Sequence, residues 1–185
     1  GVIEFDGTDL RNFDTDTLYK EIAYLRQEVP IFTGTIEENV ALGISDYNEA
    51  KIDESLASAS ANFVHDIPEG ISTLIGERGK KLSGGERQRI AIARIFMRDP
   101  SFIILDEATA ALDTRSEKDV QDMFNELAAI NGGKTMVVIA HRLSTVRNAD
   151  QIVVLEEGRV LDVGTHDELM TRCELYIELN EKEFV

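Results

Sequence analysis

The sequence predicts a mixed α/β fold, a mainly parallel sheet flanked by helices, with a helical lobe inserted between the sheet-forming parts. Three observations carry this. Short apolar runs such as FIIL and MVVIA have strand length and alternate with longer segments of helical periodicity, the order that builds parallel sheets. Pro68, Glu69 and Gly70 punctuate the chain after a long acidic, helical stretch, which marks that stretch as a separate lobe. Hydrophobic residues make up 43% of the 185, enough for the core of one medium-sized domain.

Taken in order, VIEF followed by Asp6-Gly7 reads as a strand and tight turn, and EIAYL as a strand leading to Arg26-Gln27-Glu28. From Thr35 to about Ala61 the pattern is helical and acidic. Residues Ile71 to Ile75 follow the punctuation, and a helix is expected from Gly85 through IAIARIFMR to Asp99-Pro100, where proline stops it. SFIIL then reads as a fully buried strand. Apolar positions at Val120, Met123, Phe124 and Leu127 predict a helix, TMVVIA a strand, and QIVVLEEGRVL two strands around Glu157-Gly158. The tail from His166 is helical in pattern. This assigns 1–34 and 98–185 to the α/β part and 35–97 to the lobe.

Charge excludes some functions. With 19 Lys and Arg against 35 Asp and Glu the net charge is -16, which repels nucleic acid and anionic lipid at long range. No nucleic-acid partner is expected. The single cysteine, Cys173, has no internal disulfide partner and no neighbouring His or Cys to suggest a metal or a nucleophile, so a packing role is expected. The apolar runs are too short to span a bilayer, and GVIEFDG looks like a strand and turn rather than a signal peptide. A membrane role would come through a partner or through polypeptide outside this sequence.

The chemistry lies at strand ends. Gln27 follows IAYLR, Asp106 and Glu107 follow FIIL, and His141 follows MVVIA. In open parallel sheets, ligands bind beyond the carboxyl ends of the strands. Taken singly, each of these is equally well a solvated loop residue; four at one edge point to phosphate chemistry. Adjacent carboxylates offer one oxygen ligand for magnesium and one group to orient or deprotonate water, while His141 offers a hydrogen bond to a terminal phosphate. A second phosphate-friendly stretch is LSGGERQR, Leu82 to Arg89, where a serine and two glycines open a helix with unpaired N–H groups and the positive end of its dipole. His65 and His166 sit in loop-like contexts and are assigned no role.

LSGGERQR about twenty residues ahead of FIILDEATAALD, with Gln27 upstream and His141 downstream, resembles the nucleotide-binding domain of an ATP-binding cassette transporter over nearly the whole chain. The resemblance implies a P-loop NTPase type of fold with an inserted helical lobe, with ATP and magnesium as ligands. It implies that Gln27 touches the metal and the transmembrane partner, that Asp106 is the Walker B aspartate, and that Glu107 is the catalytic base. Ser83, Gly84 and Gly85 would form the signature loop, Ala111-Leu112-Asp113 the loop that crosses to the other subunit, and His141 the switch histidine. Glu86 stands where the family usually has Gln. QEVPIFTGTIEENVALG, IGERG and GTHDEL are similar to exporter-type cassettes fused to membrane domains. The implied partners are therefore a second nucleotide-binding domain, in a head-to-tail dimer, and the transmembrane domains, at the cytoplasmic face of a membrane.

One family element is not found in these 185 residues. The candidate for a phosphate-binding P-loop is Gly132-Gly133-Lys134-Thr135, but GxxxxGK[ST] requires glycine where Ala128 stands, and the stretch precedes a strand instead of following one. A turn is the expected structure there. GVIEFDG resembles family sequence a little beyond the P-loop helix, which implies a chain beginning partway into the domain, with its N-terminal strands and P-loop missing and inactive alone. A soluble DNA-repair-type cassette would need heptad runs, which the sequence lacks. A non-catalytic module that lends its signature loop to an intact subunit is the remaining alternative.

Overall fold

Two parallel strands, held in register by side chains buried on one face, organise the computed structural model, which describes residues 1–77, 81–107, 123, 134–140 and 146–183. β3 (Ile22–Leu25) pairs with β6 (Phe102–Asp106), Ala23 opposite Ile103 and Leu25 opposite Leu105. Those four side chains are buried, and a slip of one residue would turn the pair on the slipped strand outward, so the register is fixed. β7 (Thr135–Ile139) completes a three-stranded sheet in the order β3-β6-β7. The fully buried strand expected at SFIIL is instead alternating: Phe102, Ile104 and Asp106 share a second, half-buried face.

Contacts divide the chain into Gly1–Val137 and Val138–Val185. In the first unit, β1 (Glu4–Phe5) and β2 (Thr8–Asp9) form a hairpin whose turn residues Asp6 and Gly7 both have positive φ, as a two-residue turn of matching twist requires. Phe5 meets the rings of Phe13 and Phe102 edge-on, which seats the hairpin against the start of β6. α1 (Thr15–Glu21) is capped by Asp14, whose carboxylate accepts from Thr17 N–H, and runs into β3.

The helical stretch expected from Thr35 to Ala61 is broken in two: α2 (Ile36–Val40), then α3 (Glu49–Ser58). Turn formers interrupt it. Gly43 has φ +81, and Asn48 caps α3 by accepting from Lys51 N–H. β4 (Gly34–Thr35) pairs antiparallel with β5 (Leu74–Ile75). Gly76 follows at φ +98, and a side-chain carbon there would stand 2.8 Å from the Thr33 backbone, so this close approach admits only glycine.

α4 (Gly84–Arg98) packs on α2 and α3. It begins one residue before the expected Gly85 and ends as expected, at a left-handed Asp99 just ahead of Pro100. Ile36, Val40, Ile52, Leu56, Ile90 and Ile92 are fully buried there, each worth roughly 1.5–3 kcal/mol of apolar burial. Of the helix expected around Val120 to Leu127 only Met123 is described, and it is helical and buried.

In the second unit, β8 (Ile152–Glu156) and β9 (Arg159–Gly164) form an antiparallel hairpin around Glu157 and Gly158, both at positive φ. α5 (His166–Arg172) and α6 (Glu174–Glu183) follow. Ile152, Val154, Leu169, Cys173 and Tyr176 make the core of this unit, which gives Cys173 the packing role expected of it.

Candidate functional site

The β3–β6 register brings Gln27 and the Asp106-Glu107 pair to the carboxyl end of neighbouring parallel strands. Asp106 is the last residue of β6, and Gln27 lies two residues past Leu25, the partner of Leu105. Gln27 is exposed and Asp106 and Glu107 are half-buried at that edge. Glu107 has φ +49, a left-handed conformation that costs a non-glycine residue roughly 1–2 kcal/mol. Glu107 is a bend directly after the strand, and strain of this kind persists only where the surroundings hold it. His141, Asp113 and the adjoining Ala111 and Leu112 lie outside the described residues, as does Gly79 of IGERG.

Asp106 has a partner that the sequence did not announce. Tyr24 donates its hydroxyl to Asp106 Oδ2 at 2.5 Å. The hydrogen bond to this carboxylate, assisted by burial and by the carboxylate's charge, raises the phenol above its ordinary pKa of 10.0, so it stays protonated and a donor. The available signal was Tyr24's position on the open face of a short strand, two residues short of Arg26.

Ser83 caps α4. Its Oγ accepts from Glu86 N–H at 3.3 Å, and Glu86 Oε2 accepts from Ser83 N–H at 2.7 Å, a reciprocal box that Gln at position 86 would also make. Because Oγ serves as acceptor, its own proton remains for another oxygen. Ser83 and Gly84 are exposed and Gly85 half-buried.

Arg94, in the middle of α4, was also missed by sequence reasoning. Its guanidinium donates Nε to Asn39 O at 2.6 Å, Nη1 to Pro30 O at 2.8 Å and Nη2 to Asn39 Oδ1 at 2.7 Å. Asn39 in turn accepts from Phe32 N–H and donates to Phe32 O and Thr35 O. The Phe32 ring lies 5.6 Å from the guanidinium carbon. The segment just after Gln27 is thereby tied to the helix that Ser83 opens. An arginine amid the apolar run IAIARIF was the visible signal.

Lys134, weighed above as a P-loop lysine, instead points its ammonium at Asp99 Oδ1 (2.5 Å) and Pro100 O (2.7 Å), with its side chain only 7% exposed. It ties the turn after α4 to the start of β7. His166 Nδ1 stands 2.9 Å from the Tyr176 hydroxyl, a local bond within the second unit.

Among the described residues no group of three or more His, Cys, Asp or Glu could hold a metal. Asp106 fits magnesium differently: a hard carboxylate oxygen at a half-open strand end is what an ion completed by phosphate oxygens and water uses. No described helix is long and apolar enough to cross a membrane.

Fold and strand-end cluster together define a class, the mixed α/β domains whose parallel sheet offers ligand groups beyond its carboxyl ends. The family model described as ABC transporter matches residues 1–110, and the chain belongs to that family. Over 171 residues it is 46% identical to the putative multidrug export ATP-binding/permease protein YgaD of Bacillus subtilis, covering 92% of this chain and 29% of that protein. It is also 46% identical over 188 residues to an ATP-dependent lipid A-core flippase of Ralstonia nicotianae, covering 100% of this chain and 31% of the flippase. Among solved structures, a bacterial Atm1-family ABC exporter with ATP bound superposes with TM-score 0.90 at 38% identity, over 100% of this chain and 32% of that one. The chain thus spans about a third of the length of these relatives.

Proposed function

We propose that this chain belongs to the ATP-binding and hydrolysing domain of an exporter, at the cytoplasmic face of a membrane, where ATP-driven closure of a head-to-tail pair of such domains moves transmembrane domains. The observation that carries this reading is the Asp106-Glu107 pair at the end of β6, beside the end of β3 that leads to Gln27. In this reading residues 35–97 form the lobe and the rest the α/β part.

Asp106 and Gln27 would hold magnesium, which when bound neutralises phosphate charge. Glu107 takes the proton of a water aimed at the terminal phosphate, and His141 donates a hydrogen bond to that phosphate. Ser83, with its remaining hydroxyl proton, and Gly84 and Gly85, with N–H groups at the start of α4, close on nucleotide bound by the second domain. Asp113 works across the same interface.

Two measurements test this. In the full-length protein, Glu107→Gln keeps the shape and removes the base, so MgATP binding is retained while turnover falls at least about a hundredfold. Turnover near the wild-type rate would refute the assignment. Loss of turnover with Ser83→Ala but not with Glu107→Gln would mean that the chain only lends its signature loop. The 185 residues alone contain no GxxxxGK[ST] match and are proposed not to turn over ATP. Millimolar affinity requires about 4 kcal/mol, and a helix start supplies roughly 0.3–2. Calorimetry returning submicromolar binding would overturn that.

A further inference from the structure

Tyr24 has no place in the chemistry above, yet it touches the carboxylate at its centre. It stands opposite Ile104 across the parallel pair. The two-residue period of a strand puts Ile104 and Asp106 on one face, so Tyr24 and Asp106 are diagonal neighbours. Such neighbours lie roughly 7–8 Å apart at the backbone, a span that a phenol bridges and an aliphatic side chain would cross without a donor. The ring is 53% exposed, so burying it is not what keeps it there. On the opposite face Ala23, Leu25, Ile103 and Leu105 are between 0% and 4% exposed, which locks the two strands and so fixes the distance the hydroxyl must reach.

We propose that Tyr24 is a positioning residue for the Asp106 carboxylate: by donating to Oδ2 it fixes the rotation of the carboxylate and presents Oδ1 as an oxygen ligand for a divalent cation accompanying nucleotide phosphates. The inference rests on the assignment of Asp106 to the metal made above. An aspartate χ2 is broad and soft, and a carboxylate at a half-open strand end samples several rotations unless a donor selects one. Outer hydrogen bonds of this sort are worth 10- to 100-fold in metal affinity. The donor is built into β3, the strand that leads to Gln27, so any shift of β3 along β6 would carry the carboxylate with it.

The test uses the full-length protein, a non-hydrolysable ATP analogue and manganese as a paramagnetic probe. Tyr24→Phe removes the hydroxyl and keeps the ring. It should weaken manganese binding in the analogue complex about tenfold, and raise the magnesium needed for half-maximal ATP turnover by the same factor. Analogue affinity in EDTA and turnover at saturating magnesium should stay within twofold of wild type. Unchanged manganese binding would overturn the proposal, as would an equal loss of analogue affinity in EDTA, which would indicate general distortion. Asp106→Asn should by itself weaken manganese binding, and adding Tyr24→Phe to it should cost nothing further. If Asp106→Asn leaves manganese binding intact, the metal assignment itself has failed. If Asp106→Asn weakens it while Tyr24→Phe does not, only the role of Tyr24 has failed.

Discussion

Replacing Arg94 by Met would cut the tie between the segment after Gln27 and α4 while keeping most of the apolar stem of the side chain. Three hydrogen bonds are lost. Bonds from a charged donor contribute about 1.5–3 kcal/mol each. Pro30 is exposed, so its carbonyl turns to water and its bond counts for little. Asn39 is 1% exposed; its main-chain oxygen is left without the guanidinium, and its amide oxygen keeps only the Phe32 N–H. Two such bonds amount to about 3–6 kcal/mol. Against this stands the cost of burying the guanidinium, which pulls its pKa down to about 10, low for arginine though far above neutrality. The net loss expected is about 3 kcal/mol, or roughly a hundredfold in the opening equilibrium of α2 and α4. Hydrogen–deuterium exchange of the full-length protein measures it: amides of α2 and α4 should exchange about a hundred times faster, and those of the hairpin from Ile152 to Gly164 at the wild-type rate. Arg94→Lys keeps the charge without the fork and should fall between. Acceleration of less than about threefold in α2 and α4 with Arg94→Met would refute the reasoning.

Ser83→Ala removes half of a capping box and should lower α4 stability by about 0.5–2 kcal/mol, seen as faster exchange in its first turn, while Ser83→Gly costs only a few tenths. If nucleotide-driven closure falls equally with both variants, the hydroxyl acts on the phosphate and not merely on the helix. Gly76→Ala meets a φ of +98 and a contact 2.8 Å from Thr33 Cα, so it should destabilise the β4–β5 pair by at least about 1–3 kcal/mol; an unchanged melting temperature would contradict that. In the second unit, the guanidinium of Arg172 holds Asp162 below its ordinary pKa of 3.8, and the Thr165 N–H and hydroxyl contacts hold Glu168 below 4.5. A carboxylate with a depressed folded pKa contributes stability that is present above its unfolded value and lost as pH falls through the folded one. The stability difference between wild type and Arg172→Met should therefore be larger at pH 7 than after acidification below about 3.8, where only the bond to Val163 O is left, and a difference that grew with acid would sink the assignment.

The local signals in this chain were self-contained. Asp6-Gly7 and Glu157-Gly158 turn hairpins because few residues accept positive φ, and Asp99-Pro100 stops α4 because proline cannot continue it. Asp106 and Glu107 could be read as a strand-end pair because the apolar run FIIL ahead of them has strand length and is followed by charge. Each of these choices is made by a few adjacent residues. Where the choice depends on neighbours distant in the chain, the sequence was silent or misleading. The run from Thr35 to Ala61 divides into α2 and α3 at Gly43 and Asn48, but that both halves pack against α4 is not encoded in its own periodicity. β6 is buried on one face only, since what covers a strand is supplied by other elements. Arg94 finds Asn39 across 55 residues, and Tyr24 finds Asp106 across 82. A hydrogen bond requires its donor and acceptor to meet within a few tenths of an ångström, and only the packed backbone sets that distance: periodicity names the strands, while tertiary packing decides which hydroxyl reaches which carboxylate.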